Sequence, residues 1–327
     1  MKKNQILAVA CCAAALLMAS TAALSQESPY PSRPIRIVMP FAPGGGGVMV
    51  LRSIADKLGE RMGTTIVIDN RPGASGFIGA QQVVASPPDG HTLLMGFDGS
   101  LVIASNIIKP PFDPMADLLP VAKLADTPLI VVTHPSVKAR TIPQLVAYSK
   151  TLPGGISYGS AGKGTTQNMV GELLALQSGM RLTHVAYKGG GQAITDVVSG
   201  QVPMVVTVVS TAQAFVRDGR LNAVAVSSRE RSPMLPDVPT VAEAGVPDFD
   251  VMAWYGIFAP SKTPKSIMDR LQKELAVVLA DPEVRERYAK AGFVTATPNK
   301  PDDFARQVQG DYKRWAKVVK DANIQAD

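Results

Sequence analysis

Two glycine-rich stretches hold the residue types that bind anions without using charge. The first is Pro43-Gly44-Gly45-Gly46-Gly47, preceded by Phe41 and Ala42 and followed by Val48. The second is Gly159-Ser160-Ala161-Gly162-Lys163-Gly164-Thr165-Thr166-Gln167-Asn168. Glycine adopts backbone angles that other residues avoid, and it lets a main chain approach a ligand closely. Serine and threonine add hydroxyl donors. At the start of a helix, either stretch aims unpaired N–H groups and the positive end of the helix dipole at one point, and an anion fits there. The details exclude a nucleotide. A dinucleotide fingerprint needs a third glycine three residues after Gly46, where Met49 stands, and a Walker loop needs Gly-Lys followed by Ser or Thr, where the chain reads Gly46-Gly47-Val48.

Other chemistries find less support. A serine nucleophile at Ser160 would make the chain a secreted hydrolase, but Tyr158 stands where a nucleophile elbow has its first glycine. A general base would have to come from His91, His134 or His184. These three histidines are spread apart without clustered acids, so no metal site and no cofactor are expected. Lys188 reads as a solvated surface charge, Trp254 and Tyr255 as packing residues, and Asp98 with Ser100 as a cleft contact or a cap. Asp311, Lys313, Arg314 and Lys317 read as an exposed helix face.

The chain has 327 residues, enough for one large or two medium domains. Met1-Lys2-Lys3, the apolar run 6–18 and the small residues Ser20-Thr21-Ala22-Ala23-Leu24-Ser25 read as a secretory signal peptide, cleaved near Ala23 or Ser25. Its loss would remove Cys11 and Cys12, the chain's two cysteines, and with them any disulfide or thiolate site. It would also remove Lys2 and Lys3, lowering the formal net charge from +6 to +4. The remaining charges form no basic run, so nucleic-acid binding is not expected.

The elements that must position the glycine stretches follow from periodicity. Residues 35–39 read as a strand and 48–62 as a helix, with apolar Val48, Leu51, Ala55, Leu58 and Met62 at helical spacing. Strands at 65–68 and 92–95 flank a helix at 78–85. A strand at 129–133, a helix at 142–151 and a strand at 156–158 lead into the second glycine stretch and its helix. Two further strand–loop–helix units follow, at 184–198 with Tyr187-Lys188-Gly189-Gly190-Gly191, and at 202–212 with Thr207, Val208 and Ser210-Thr211-Ala212. A strand at 221–227, an extended crossing stretch at 249–259, and helices at 264–280, 282–291 and 302–322 complete the chain. Strands alternating with helices predict an α/β fold with a mainly parallel sheet, whose ligands sit beyond the carboxyl ends of the strands.

Taken in order, Pro40-Phe41-Ala42-Pro43-Gly44-Gly45-Gly46, Asn70-Arg71-Pro72-Gly73-Ala74, Pro88-Asp89-Gly90, Ser160-Ala161-Gly162-Lys163-Gly164-Thr165, Tyr187-Lys188-Gly189-Gly190 and Leu235-Pro236-Asp237-Val238-Pro239-Thr240 resemble the solute receptors of tripartite tricarboxylate transporters, the Bug-type periplasmic binding proteins. The resemblance implies a type II periplasmic binding protein, with two α/β lobes joined by crossing strands around a cleft. Lobe 1 would hold residues 26–128 and 251–327, and lobe 2 residues 129–250. It implies a periplasmic monomer that closes on a small carboxylate and delivers it to the membrane permease subunits of the transporter. The implied ligand contacts are Phe41, Ala42, Pro43, Gly44, Gly45, Gly46, Gly47, Val48, Ser100, Ser160, Ala161, Gly162, Gly164, Thr165, Thr166, Asn168, Tyr187, Thr207 and Val208. Where the family usually has Thr-Asp after the glycines this chain has Gly47-Val48, and Asn168 and Thr207 stand at a frequent histidine and a frequent aspartate. An aspartate at Val48 would suit a ligand amine and repel a second carboxylate. The expected ligand is therefore a dicarboxylate, aromatic ones such as terephthalate or another phthalate isomer included. A periplasmic sensor that docks on a signalling partner is the other non-enzymatic alternative.

Overall fold

The β-branched run Ile35–Met39 forms β1, and the glycines after it release the chain into helix α1 (Gly46–Met62). The same alternation recurs through β2 (Ile66–Asn70), α2 (Phe77–Val84) and β3 (Thr92–Phe97). It recurs again after a long strand β4 (Leu118–Thr133), through α3 (Ile142–Thr151), β5 (Ile156–Ser160), α4 (Thr166–Ser178), β6 (Leu182–Ala186), α5 (Gly190–Val198), β7 (Met204–Val208), α6 (Val209–Arg217) and β8 (Asn222–Val226). Strand β9 (Met252–Pro260), helices α7 (Lys265–Ala280) and α8 (Pro282–Lys290), the short β10 (Val294–Thr295) and α9 (Pro301–Asp321) close the chain. The computed structural model describes residues 30–296, 301–321 and 324, so the expected signal peptide lies outside the described residues. Among the described residues no helix is long and apolar enough to cross a membrane.

The strands join in the order β2-β1-β3-β9-β4-β7-β5-β6, with β8 and β10 on β4. The sheet is mixed rather than mainly parallel. Pairings β1–β2, β1–β3, β5–β6 and β5–β7 are parallel, whereas every pairing of β4 and β9 is antiparallel. Those two strands cross from one parallel set to the other. β4 pairs with β9 from Leu118 to Pro128 and with β7 and β8 from Leu129 onward, so it changes partners between Pro128 and Leu129. Sequence periodicity finds only the last five residues of β4. The first eleven carry Pro120, Lys123, Asp126 and Pro128 and shift register twice against β9, which breaks the alternation of a regular strand.

Two cores flank the crossing. Ile130, Val132, Ile194, Val197, Val205 and Val226 pack together in the half built on β5–β8. In the other half, α9 lays Phe304 across β9. Phe304 stands edge-on to Trp254 at 5.3 Å and meets Phe258 at 5.5 Å. Asp311, read above as part of an exposed face, instead accepts a hydrogen bond from Trp254 Nε1 at 2.9 Å. Helix α1 is clamped from outside. Lys57 reaches Asp281 at 2.8 Å, Arg61 reaches Glu274 at 2.6 Å, and the buried Tyr288 hydroxyl donates to the Val50 carbonyl at 3.2 Å.

The aromatic packing depends on one small residue. A methyl group on Gly256 would lie 2.4 Å from Phe304 Cζ and 3.0 Å from the Ala122 carbonyl. Gly256→Ala is therefore expected to lower stability by about 1–3 kcal/mol through overpacking, seen as a lower urea midpoint with an unchanged slope. An unchanged midpoint would show that α9 moves aside freely.

Candidate functional site

Four helices of the fold begin where a strand ends, and all four beginnings face one small cavity. α1 starts after β1, α4 after β5, α5 after β6 and α6 after β7. The cavity, of about 30 Å³, is lined by Gly45, Gly46, Gly47 and Val48 of the α1 start and by Gln167 in the first turn of α4. Gly189 and Gly190 at the start of α5, and Val208 and Thr211 at the start of α6, complete the ring. The first N–H groups of a helix lack intrahelical partners. Only α4 supplies a side-chain cap, the Thr165 hydroxyl; α1, α5 and α6 have none. In α1 and α5 the third N–H, of Val48 and of Gln192, turns back to the Gly45 and Gly189 carbonyls, and the positive dipole ends of all three helices remain at the cavity.

Side chains add to this. Gln167 and Thr207 are buried, with 5% and 0% exposure, and Gln167 Oε1 and Thr207 Oγ1 have no hydrogen-bond partner; nor has Thr211 Oγ1. All three line the cavity. A hydroxyl can turn its proton inward, and an amide turned by half a rotation presents its NH2 instead of its oxygen. No lysine, arginine, aspartate or glutamate is among the lining residues. The opposite wall is aromatic. Phe97 stacks on Tyr255 at 5.1 Å and meets the edge of Phe41 at 5.7 Å. Burial raises the Tyr255 pKa far above its ordinary value, so the phenol keeps its proton.

The two halves of the sheet meet around this cavity, backbone against backbone. Ala42 N–H donates to the Lys188 carbonyl at 3.4 Å, and Ser75 Oγ donates to the Lys163 carbonyl at 2.6 Å. A methyl on Gly191 would lie 3.1 Å from the Gly44 carbonyl carbon, and one on Gly46 would lie 2.9 Å from both the Tyr255 hydroxyl and a Val208 methyl. Side chains at these glycines would block the approach.

A family model described as "Tripartite tricarboxylate transporter family receptor" matches residues 50–324. The chain belongs to the tripartite tricarboxylate transporter receptor family. Protein BugT of Bordetella pertussis (strain Tohama I) is 33% identical over 307 residues, covering 93% of each chain. Among solved structures, R. palustris Rpa4515 with adipate superposes with a TM-score of 0.87 at 31% identity, covering 90% of this chain and 99% of that one. MatC from Rhodopseudomonas palustris with bound malate gives 0.85 at 32% identity, covering 89% and 100%. The fold is that of a periplasmic binding protein, and the receptor is a solute-binding protein rather than an enzyme.

Within the receptor, the expected contacts divide by where their atoms point. Phe41, Ala42, Gly45, Gly46, Gly47, Val48, Ala161, Thr207 and Val208 line the cavity. Pro43, Gly44 and Tyr187 line an outer groove beside it. Ser100, Ser160, Gly162, Gly164, Thr165, Thr166 and Asn168 are buried next to the cavity without lining it. The Ser100 hydroxyl donates to the Phe97 carbonyl. Ser160 Oγ lies 2.6 Å from Nε2 of the half-buried His184 and accepts from the Gly162 N–H, a serine–histidine contact that does not line the cavity. Thr165 Oγ1 caps α4 and donates to the Gly162 carbonyl. Asn168 accepts from the Gly164 N–H and donates to Tyr158 and Glu172. These side chains hold the second glycine loop in shape. Lys188 is exposed. Sequence reasoning missed Met39, Phe97, Gln167, Gly189, Gly190 and Thr211, and it read Tyr255 as packing alone. Gln167 and Thr211 are the second and third residues of their helices, a position that marks both once the helix starts are known.

Asp98 sits behind the site, 2% exposed, with Oδ1 unpartnered. Burial raises its pKa well above the ordinary 3.8, outweighing the Thr166 hydroxyl and the Gly99 N–H, which favour the charged form. A raised acid keeps in the fold a proton that the unfolded chain has lost. Its contribution is therefore most favourable at low pH and falls as pH rises from about 4. Asp98→Asn is expected to gain Tm relative to the parent as pH goes from about 4 to about 7. Parallel Tm profiles would show that Asp98 is ionised in the folded protein.

Proposed function

We propose that this receptor captures a carboxylated small molecule in the periplasm and hands it to the membrane permease subunits of a tripartite tricarboxylate-type transporter. One observation carries the reading: three uncapped helix starts and three partnerless polar groups, Gln167, Thr207 and Thr211, converge on one cavity that no charged side chain lines. A carboxylate offers about four acceptor sites on its two oxygens and so answers several donors of that ring at once. The cavity has room for about two water-sized groups, which matches the two oxygens of one carboxylate. A dicarboxylate is supported by two similar structures, one with adipate and one with bound malate. An aromatic one such as terephthalate is supported by Met49 and Phe215, the apolar side chains of the groove beside the cavity. Val48 lines the cavity, so an amine would find no counter-ion there.

The residues named in the sequence analysis act in two layers. The glycines 44–47, Val48, Thr207 and Val208 meet the ligand, and Ser160, Thr165 and Asn168 fix the loop that meets it. The bodies that close are residues 26–128 with 251–327, and residues 129–250. The change of partners in β4 between Pro128 and Leu129 supports a hinge at that point. Each dipole contact adds about 0.3–1 kcal/mol and each charge-assisted hydrogen bond roughly 1.5–3 kcal/mol. Together they are of the size needed for micromolar binding, near −8 kcal/mol, after ordering costs.

Thr207→Val keeps the shape and removes one hydroxyl. It is expected to weaken carboxylate binding about tenfold, as measured by titration calorimetry with adipate and terephthalate, without lowering Tm. Equal affinity of parent and variant would remove Thr207 from the site, and tight binding of amino acids with none of carboxylates would overturn the reading.

A further inference from the structure

We infer that the ligand's carboxylate alone occupies the inner cavity and that its body lies in the outer groove, so the receptor selects carboxylates with a long apolar chain or a ring. This rests on the carboxylate reading above and specifies the rest of the molecule. The inner cavity, about 30 Å³, holds one head group and no more, whereas the outer groove measures about 720 Å³, within the roughly 300–1,000 Å³ usual for small-molecule sites. The two are neighbours. Thr211 lines both, Gly44 and Gly45 stand on either side of the divide, and so do Gly190 and Gly191. What separates them is bare backbone: a methyl on Gly44 would come no nearer than 3.9 Å to Gly191 Cα. A small parting of these glycines joins the two spaces into one channel.

The groove's chemistry differs from the cavity's. Met49 and Phe215 are half-buried on its walls, with Pro43 at the edge and Ile194 beneath. The one charged side chain lining it, Asp196, accepts from the Tyr187 hydroxyl at 2.7 Å. No cation lines it, so a second carboxylate at the far end gains no ion pair and stays in solvent at the open side. Discrimination in the groove therefore falls on the apolar body, through area removed from water. A short polar diacid would fill the head site and leave the groove walls uncovered.

Calorimetric titration of the purified receptor with succinate, malate, adipate and terephthalate tests this. Adipate and terephthalate are expected to bind at least tenfold more tightly than succinate and malate. Met49→Glu places a charge on a half-exposed wall position, and Phe215→Ala removes a ring. Each is expected to weaken adipate and terephthalate binding about tenfold while leaving succinate within twofold, with thermal unfolding confirming a folded variant. Succinate or malate binding as tightly as adipate would overturn the two-compartment assignment and leave the carboxylate reading standing, as would variants that change no affinity. Failure of all four acids to bind would overturn both.

Discussion

A helix that begins inside a protein leaves N–H groups pointing at whatever lies before it, and they must be answered by a side chain, water or a ligand. Here three helices begin at one place without a side-chain cap. Most of the site follows from that constraint. Glycine is needed at the α1 and α5 starts, because a methyl at Gly46 would strike Tyr255 and Val208 and one at Gly191 would strike the Gly44 backbone. Charged side chains are not needed, because oriented peptide dipoles in a closed, low-dielectric space supply the positive potential.

The crossing strands make this convergence mechanically stable. β4 and β9 run antiparallel between two parallel sets, so the carboxyl ends of β1, β5, β6 and β7 are brought toward one another rather than spread along an open sheet. Packing on the crossing is heavy on one side, where Trp254, Phe258 and Phe304 interlock around Gly256. The cavity side carries the Phe41, Phe97 and Tyr255 ladder. Tyr255 thus belongs to both the crossing strand and the cavity wall.

The hydroxyl-rich second loop works as a frame. Ser160, Thr165 and Asn168 spend their hydrogen bonds on Gly162, Gly164, His184 and the Tyr158–Glu172 pair, which fixes two left-handed glycines, Gly162 and Gly164, in place. Pinning the loop lets its backbone and Gln167 face the ligand with little further loss of freedom on binding. Behind it, Asp98 is buried between the halves, and that burial shifts it toward its neutral form, which lessens any charge opposing an anionic ligand from that side.

The sequence by itself determined the local events. Periodicity and glycine placement located β1, α1, α3, α7 and most other elements within a few residues, because each is set by neighbours in the chain. Gly45–Gly47, Ala161, Thr207 and Val208 were legible as residues at strand-to-helix turns, and these line the cavity. The antiparallel crossing and the first eleven residues of β4 were not legible, since their regularity comes from partners more than a hundred residues away and their prolines and charges hide the alternation. Tertiary structure also decided which hydroxyls face the cavity. Thr165 and Thr207 look alike in sequence, yet the first caps its own helix and the second is left without a partner. That difference depends on how four helix starts from distant parts of the chain are oriented around one point, and no local pattern encodes it.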